Sequence, residues 1–167
     1  MNFPFFNAAS SNISFMMKQL SGLVFLCLIN LLLHAQSDRQ VQWDYSAKKI
    51  ADKTYELHLK AAIGGNYHMY AQDAGVEGPL PTAITFIKNP LAVIEGGTKE
   101  SGKRVKKYET AWKGNVNYYE HSVDFIQVVK LKGNIKTNVA GSVEFMVCND
   151  SQCLPPSTVN FKINVGG

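Results

Sequence analysis

The sequence lacks the features of a hydrolase, a nucleic-acid-binding protein or a helical protein. Its 167 residues contain no nucleophile elbow, no metalloprotease His-Glu motif and no phosphate-binding loop. Only 18% of the residues are charged, and no basic stripe with interleaved aromatic residues is present, so a nucleic-acid partner is not expected. After residue 35, no segment keeps apolar residues at the 3.6-residue spacing of an amphipathic helix. These absences leave a small domain built from strands.

Acidic residues are absent from the first 35 residues, which carry a basic residue at Lys18 and an apolar run over residues 23–33. This pattern, followed by the small residue Ala35, predicts a secretory signal peptide over residues 1–35. Translation then starts at Met1, Met16 or Met17. A lipidated Cys27 or an uncleaved anchor are alternatives, although large residues precede Cys27 and the run is short for a membrane span. We therefore expect one exported domain over residues 36–167, periplasmic or secreted.

Alternating apolar and polar residues dominate the exported part of the chain, and glycine, proline and asparagine interrupt them. A period of two is typical of strands with one buried face. The pattern predicts strands over residues 55–63, 67–71, 82–87, 91–94, 123–131, 139–147 and 159–165. The many short strands and frequent turns predict an all-β fold, an antiparallel β-sandwich in a single domain.

Only two of the three cysteines, Cys148 and Cys153, follow the predicted signal peptide. The four residues between them favour a turn, so a disulfide is within reach. So small a ring stabilises a fold by only about 2 kcal/mol, which slightly favours a redox pair over a structural bridge. Two alternatives stay open: a protein-binding module with a structural disulfide, and a soft-metal site for Cu(I) built from Met146, both cysteines and His68.

Four segments carry a resemblance to a known family: residues 65–70, 78–82, 112–125 and 148–156. In this order and spacing they resemble the N-terminal periplasmic domain of the thiol:disulfide interchange protein DsbD. The resemblance extends from about residue 41 to residue 165. One departure is the four-residue spacing of the cysteines, since some family members have five residues there.

The resemblance implies an immunoglobulin-like domain that receives electrons from a membrane reductase and passes them to periplasmic thioredoxin-like and other oxidised proteins. Protein-disulfide reductase activity is left open. Cys153 would form the intermolecular disulfide and Cys148 would resolve it. An aromatic cap would shield the pair, and Trp112 matches that position best, while Tyr70 and His68 would line the site. The implied protein is a monomer that needs no metal or other cofactor and meets the membrane only through its partner.

A carboxylate at Asp150, between the cysteines, disfavours a thiolate and so favours a reductant over a strong oxidant.

Other conspicuous residues are predicted to be structural or solvent-exposed. His58 and His121 are expected to be exposed. Four aromatic residues are expected in the core or in cross-strand pairs: Trp43, Tyr45, Tyr118 and Tyr119. A basic cluster is expected on a solvated loop: Lys99, Lys103, Arg104, Lys106 and Lys107.

Overall fold

A computed structural model describes residues 40–167 of the chain, and the predicted signal peptide lies outside this part. The described residues form nine strands and no helix. The strands are β1 (Val41–Ala51), β2 (Thr54–Ile63), β3 (His68–Tyr70), β4 (Ala83–Phe86), β5 (Ala92–Glu109), β6 (Gly114–Leu131), β7 (Thr137–Phe145), β8 (Val147–Cys148) and β9 (Ser157–Val165). Accordingly, this part of the chain contains no helix long and apolar enough to cross a membrane.

The strands form two antiparallel sheets, which confirms the predicted all-β antiparallel sandwich. The first sheet has six strands in the order β1-β2-β6-β3-β8, with β5 along the remaining edge of β6. The second sheet has three strands in the order β4-β7-β9. Apolar residues that alternate along the strands meet between the sheets and form the main core, which includes Leu57, Leu59, Phe125, Val143 and Phe161.

The long strand β6 divides the first sheet into two sectors. Its residues 122–130 pair with β2 over the main core, whereas its residues 118–120 pair with β3. His121 lies at the junction and has a positive φ of 64°. The β5 register shifts between Gly102 and Arg104, opposite the same junction. The β5–β6 hairpin therefore contributes residues such as Phe125 to the main core and residues such as Val116 to a second, smaller cluster.

The chain changes sheets at Met146. Strand β7 in the second sheet ends at Phe145, and β8 in the first sheet begins at Val147. The predicted continuous strand over residues 139–147 is therefore wrong at its end. Apolar residues on both faces near residue 146 follow from this crossing, because the segment is enclosed by both sheets.

Two expectations about β5 need correction. The brief strand over residues 91–94 does not stop at Gly96-Gly97, because β5 passes through these glycines with a register shift between Glu95 and Lys99. Glycine permits the positive φ of 69° at residue 96, so it acts here as a bulge residue rather than as a turn. The basic cluster consequently lies on a strand and not on a loop, although its side chains are exposed as expected.

Two further differences from the predictions concern β1 and His58. Strand β1 was not among the predicted strands, and His58 is less exposed than predicted. His58 is partly buried, and its Nδ1 lies 2.7 Å from a carboxylate oxygen of Asp124 on β6. His121 is exposed, as predicted. Trp43 and Tyr45 of β1 stack on each other and pack against the main core, which confirms their structural assignment.

Candidate functional site

The two cysteines close a tight loop at the edge of the first sheet. Cys148 ends β8, and its disulfide to Cys153 joins two residues whose Cα atoms are 4.0 Å apart. The side-chain oxygen of Asn149 accepts hydrogen bonds from the backbone amides of Ser151 and Gln152, both at 2.9 Å. Asparagine favours turns because its side chain can pair with the backbone in this way. The sequence between the cysteines thus builds the loop that brings them together.

The two cysteines differ in exposure. Cys148 is only 2% exposed, whereas Cys153 is exposed to solvent. The buried cysteine belongs to the site cluster, the smaller of two buried apolar groups, which contains Tyr70, Ala74, Val116, Tyr118, Met146 and Cys148. A partner protein that approaches the loop therefore meets the Cys153 end of the disulfide first.

The tip of the β5–β6 hairpin folds towards the disulfide. Trp112 lies in the turn between the two strands, and its indole N–H donates a hydrogen bond of 3.0 Å to the hydroxyl of Tyr70. A Cβ at Gly78 would collide with the indole ring, so the glycine allows the loop before β4 to pack directly against Trp112. These two contacts fix the indole from two sides.

A cleft of about 240 Å³ brings all five predicted site residues together. It is lined by His68, Tyr70, Glu109, Ala111, Trp112 and residues 148–153. Strand pairing explains the arrangement, because β3 lies between β6 and β8. The cleft places Trp112, Tyr70 and His68 around the disulfide.

His68 lies directly opposite Cys148 in the β3–β8 pair. Its ring centroid is 4.3 Å from that of Tyr118 and 5.4 Å from that of Tyr70. Burial lowers the pKa of His68, although the nearby carboxylates of Glu109 and Glu120 partly oppose this effect. The imidazole is therefore mainly neutral at pH 7.

Two residues at the site were not predicted. Glu109 lines the cleft and forms an ion pair of 3.2 Å with Lys107. Tyr118 is buried, as expected of a structural aromatic residue, but it also packs against the ring of His68. No sequence signal identified them, because their position depends on the register of a hairpin that the pattern did not predict.

The described residues offer little support for a metal centre. Within residues 40–167, no group of three or more His, Cys, Asp or Glu side chains is arranged to hold a metal ion. Both cysteine sulfurs are bonded to each other, and Met146 is buried in the site cluster. In this disulfide form, the two cysteine sulfurs considered as Cu(I) ligands are therefore bonded to each other instead.

A β-sandwich with a short-range disulfide in an accessible edge loop fits the class of thiol-disulfide exchange domains. A comparison with protein families matches residues 35–164 to the family described as "Thiol:disulfide interchange protein DsbD, N-terminal". The chain belongs to this family, as the resemblance in the sequence indicated. A comparison with curated proteins gives no match.

Two solved structures share the fold. The N-terminal domain of DsbD from Neisseria meningitidis, in the reduced form, is similar with a TM-score of 0.52 and 17% sequence identity, covering 78% of this chain and 89% of that one. The N-terminal periplasmic domain of ScsB from Proteus mirabilis is similar with a TM-score of 0.54 and 12% identity, covering 78% of this chain but only 47% of that one. The immunoglobulin-like sandwich expected from the resemblance is confirmed by this likeness.

Proposed function

We propose that the domain passes reducing equivalents to oxidised periplasmic proteins through its Cys148/Cys153 pair. The observation that carries this proposal is the unequal exposure of the two cysteines, buried at Cys148 and exposed at Cys153. A thiol that attacks a partner must be accessible, whereas the thiol that resolves the mixed disulfide acts within the domain. Family membership and the disulfide support the same assignment.

The exchange conserves atoms and electrons. In the reduced domain, the Cys153 thiolate attacks a partner disulfide, forms a mixed disulfide and releases one partner thiol. The Cys148 thiolate then attacks the sulfur of Cys153, which closes the internal disulfide and releases the second partner thiol. The partner gains two electrons and two protons. A dithiol of a membrane reductase, acting in the reverse sense, would restore the reduced domain.

The charges around the cleft support a reductant rather than a strong oxidant. Asp150 and Glu109 both line the cleft, and Lys107 pairs with Glu109. The carboxylate of Asp150 therefore has no cationic partner among the ion pairs of the described residues. A carboxylate disfavours a nearby thiolate, and a dithiol that is not stabilised as thiolate gives up its electrons more readily.

The location and partners follow from the same proposal. An exported domain meets oxidised thioredoxin-like proteins and a membrane reductase in the periplasm, and we propose these as its partners. The cleft is open at Cys153, where such a partner would dock, and the domain itself would act as a monomer. Trp112 would act as the cap, since it lines the cleft and its indole is fixed by Tyr70 and Gly78.

The midpoint potential of the Cys148/Cys153 couple tests the proposal. Equilibration in graded dithiothreitol buffers, followed by trapping of free thiols, should show a reversible two-electron couple well below the value of about −120 mV that is typical of the strong oxidant DsbA. A bridge that is reduced only when the domain unfolds would mean a structural disulfide. The domain would then be a protein-binding module instead.

Single-cysteine variants test the separate roles of the two thiols. Cys148→Ser leaves the exposed Cys153 thiol, and Cys153→Ser leaves the buried Cys148 thiol, so each variant is the matched control of the other. With an aromatic disulfide such as 5,5′-dithiobis(2-nitrobenzoic acid), we expect the Cys153 thiol of Cys148→Ser to react at least about tenfold faster than the Cys148 thiol of Cys153→Ser. Equal rates would contradict the assignment of Cys153 as the attacking thiol.

A further inference from the structure

One ring nitrogen beside the disulfide is buried without a hydrogen-bond partner. It is Nε2 of His68. His68 and Cys148 are direct cross-strand partners on β3 and β8, so their Cβ atoms project to the same face about 5 Å apart. Both residues line the cleft. Trp43 Nε1 and Asp124 Oδ1 are buried and unpaired as well, but neither residue lines the cleft. Nε2 of His68 is therefore the unpaired nitrogen that is placed to accept a proton at the candidate site.

The buried thiol of Cys148 needs a base that accepts its proton when it reacts. Cys148 resolves the mixed disulfide only as a thiolate, and a free thiol is mostly protonated at pH 7. At 2% exposure, Cys148 has little access to water that would accept its proton. A base within the domain would therefore speed this step more than it would speed the attack by the exposed Cys153.

We propose that Nε2 of His68 accepts the proton of the Cys148 thiol when this thiol attacks the mixed disulfide, an inference that rests on the function proposed above. The S–H bond of Cys148 breaks as the N–H bond of His68 forms. The Cys148 sulfur then bonds to the Cys153 sulfur, and the partner leaves as a thiolate. That thiolate takes a proton from the imidazolium or from solvent, which returns His68 to its neutral form.

The groups around His68 are compatible with this role. Those that face it from its own strand and from neighbouring elements are Tyr70, Tyr118, Glu120, Lys107, Glu109 and Asp150. Burial lowers the pKa of His68 most, and Lys107 acts in the same direction, while the three carboxylates oppose them. The ring is thus free to accept a proton at pH 7, and the carboxylates stabilise the imidazolium that forms.

A two-step oxidation of the reduced protein separates the roles of the two thiols. With 5,5′-dithiobis(2-nitrobenzoic acid), attack by Cys153 releases one thionitrobenzoate, and resolution by Cys148 releases the second. For His68→Gln we expect the second release to slow by at least about tenfold at pH 7, with the first release unchanged. His58→Gln is the matched control, since His58 lies outside the cleft, and it should change neither release.

The pH profile provides a readout that a purely structural role would not change. In the wild-type protein, the second release should fall as the pH drops through a value below the ordinary histidine pKa of 6.5, because the imidazolium is no longer a base. In His68→Gln, the second release should instead rise with pH towards a thiol pKa of about 8.5. Should this variant not fold, the wild-type inflection decides alone, and a profile that follows only thiol ionisation overturns the proposal.

The outcomes also separate this proposal from the one on which it rests. An unchanged second release in His68→Gln, or an equal slowing of both releases, overturns the role of His68 and leaves thiol-disulfide exchange intact. A wild-type protein that shows no first release, because the bridge resists reduction in the folded state, overturns both proposals.

Discussion

The main core and the site cluster are both buried, but they differ in size, and the site cluster alone contains a cysteine. The main core joins both sheets and consists mainly of aliphatic and phenylalanine side chains such as Leu57, Leu59 and Phe125, all 0% exposed, although it also includes Tyr55 and Tyr119. The site cluster contains two tyrosines and the sulfur of Cys148, next to the hairpin tip. The comparison shows that the larger buried group lies between the sheets, whereas the candidate site is built on the smaller one.

Both regions bury polar atoms as well as apolar side chains. Apolar side chains in the main core need only close packing. At the site, the hydroxyl of Tyr70 accepts a hydrogen bond from Trp112, while Nε2 of His68 has no partner. Nε1 of Trp43, which packs against the main core, is unpaired as well. An unpaired buried polar atom costs stability. We infer that the sandwich tolerates this cost because the main core carries most of the stability.

Truncation in the main core should therefore have the largest effect. Phe125→Ala removes a fully buried ring that packs against Trp43, and we expect the free energy of unfolding to fall by about 3–5 kcal/mol. Urea denaturation of oxidised protein measures the change. Ile87→Ala is the control, because Ile87 is 65% exposed, and it should change stability by less than about 0.5 kcal/mol.

The same variant also tests whether the two regions are independent. The midpoint potential of Phe125→Ala, measured where the variant is still folded, should equal that of the wild-type domain. A shifted potential would mean that packing in the main core sets the reactivity of the site, and the separation of the two regions would fail.

The sequence predicted the fold class well, because strand alternation survives in most of the elements. Strands β2, β7 and β9 lie close to their predicted bounds. Strand β1 was missed although the signal was present, since Val41, Trp43, Tyr45 and Ala47 alternate with polar residues and face inwards. The alternation ends after Ala47, and the rest of β1 is exposed on both faces, so only part of the strand carries the signal.

The long β5–β6 hairpin was harder to predict, for physical reasons. Its outer strand is exposed on most of its length, so hydrophobic alternation is lost, and Gly96-Gly97 imitates a turn. The two cysteines and the three residues around them were predicted from spacing and from the family resemblance, and all five line one cleft. Glu109 and Tyr118 reach the site only through the register of this hairpin, which single-sequence patterns do not specify.

Reduction of the disulfide should have an intermediate effect. The bridge closes a small ring, so its loss should lower the free energy of unfolding by about 2 kcal/mol and leave the domain folded. Urea denaturation with and without dithiothreitol measures this difference. Cys148→Ala/Cys153→Ala is the matched control, and its stability should not respond to dithiothreitol.

A larger loss would reverse the comparison between the two regions. If reduction cost more than about 4 kcal/mol, or if the reduced domain lost its folded baseline, the bridge would behave as a structural staple. The site cluster would then carry fold stability comparable to that of the main core.

The contact between Trp112 and Tyr70 should have the smallest effect. Trp112→Phe and Tyr70→Phe each remove one side of the hydrogen bond that joins the hairpin tip to the site cluster. In a double-mutant cycle measured by urea denaturation, we expect a coupling energy of about 1 kcal/mol. Tyr108→Phe, on the exposed outer strand, is the control and should show no coupling to Trp112.

The same cycle distinguishes a fixed cap from a loosely placed ring. If the indole is held over the cleft by Tyr70, Trp112→Phe and Tyr70→Phe should each raise the rate at which dithiothreitol reduces the disulfide, because either change frees the hairpin tip. The double variant should then show no further increase, since both changes release the same contact. Independent, additive increases would mean that each ring shields the disulfide by itself. The hydrogen bond would then only join two elements that are already in place.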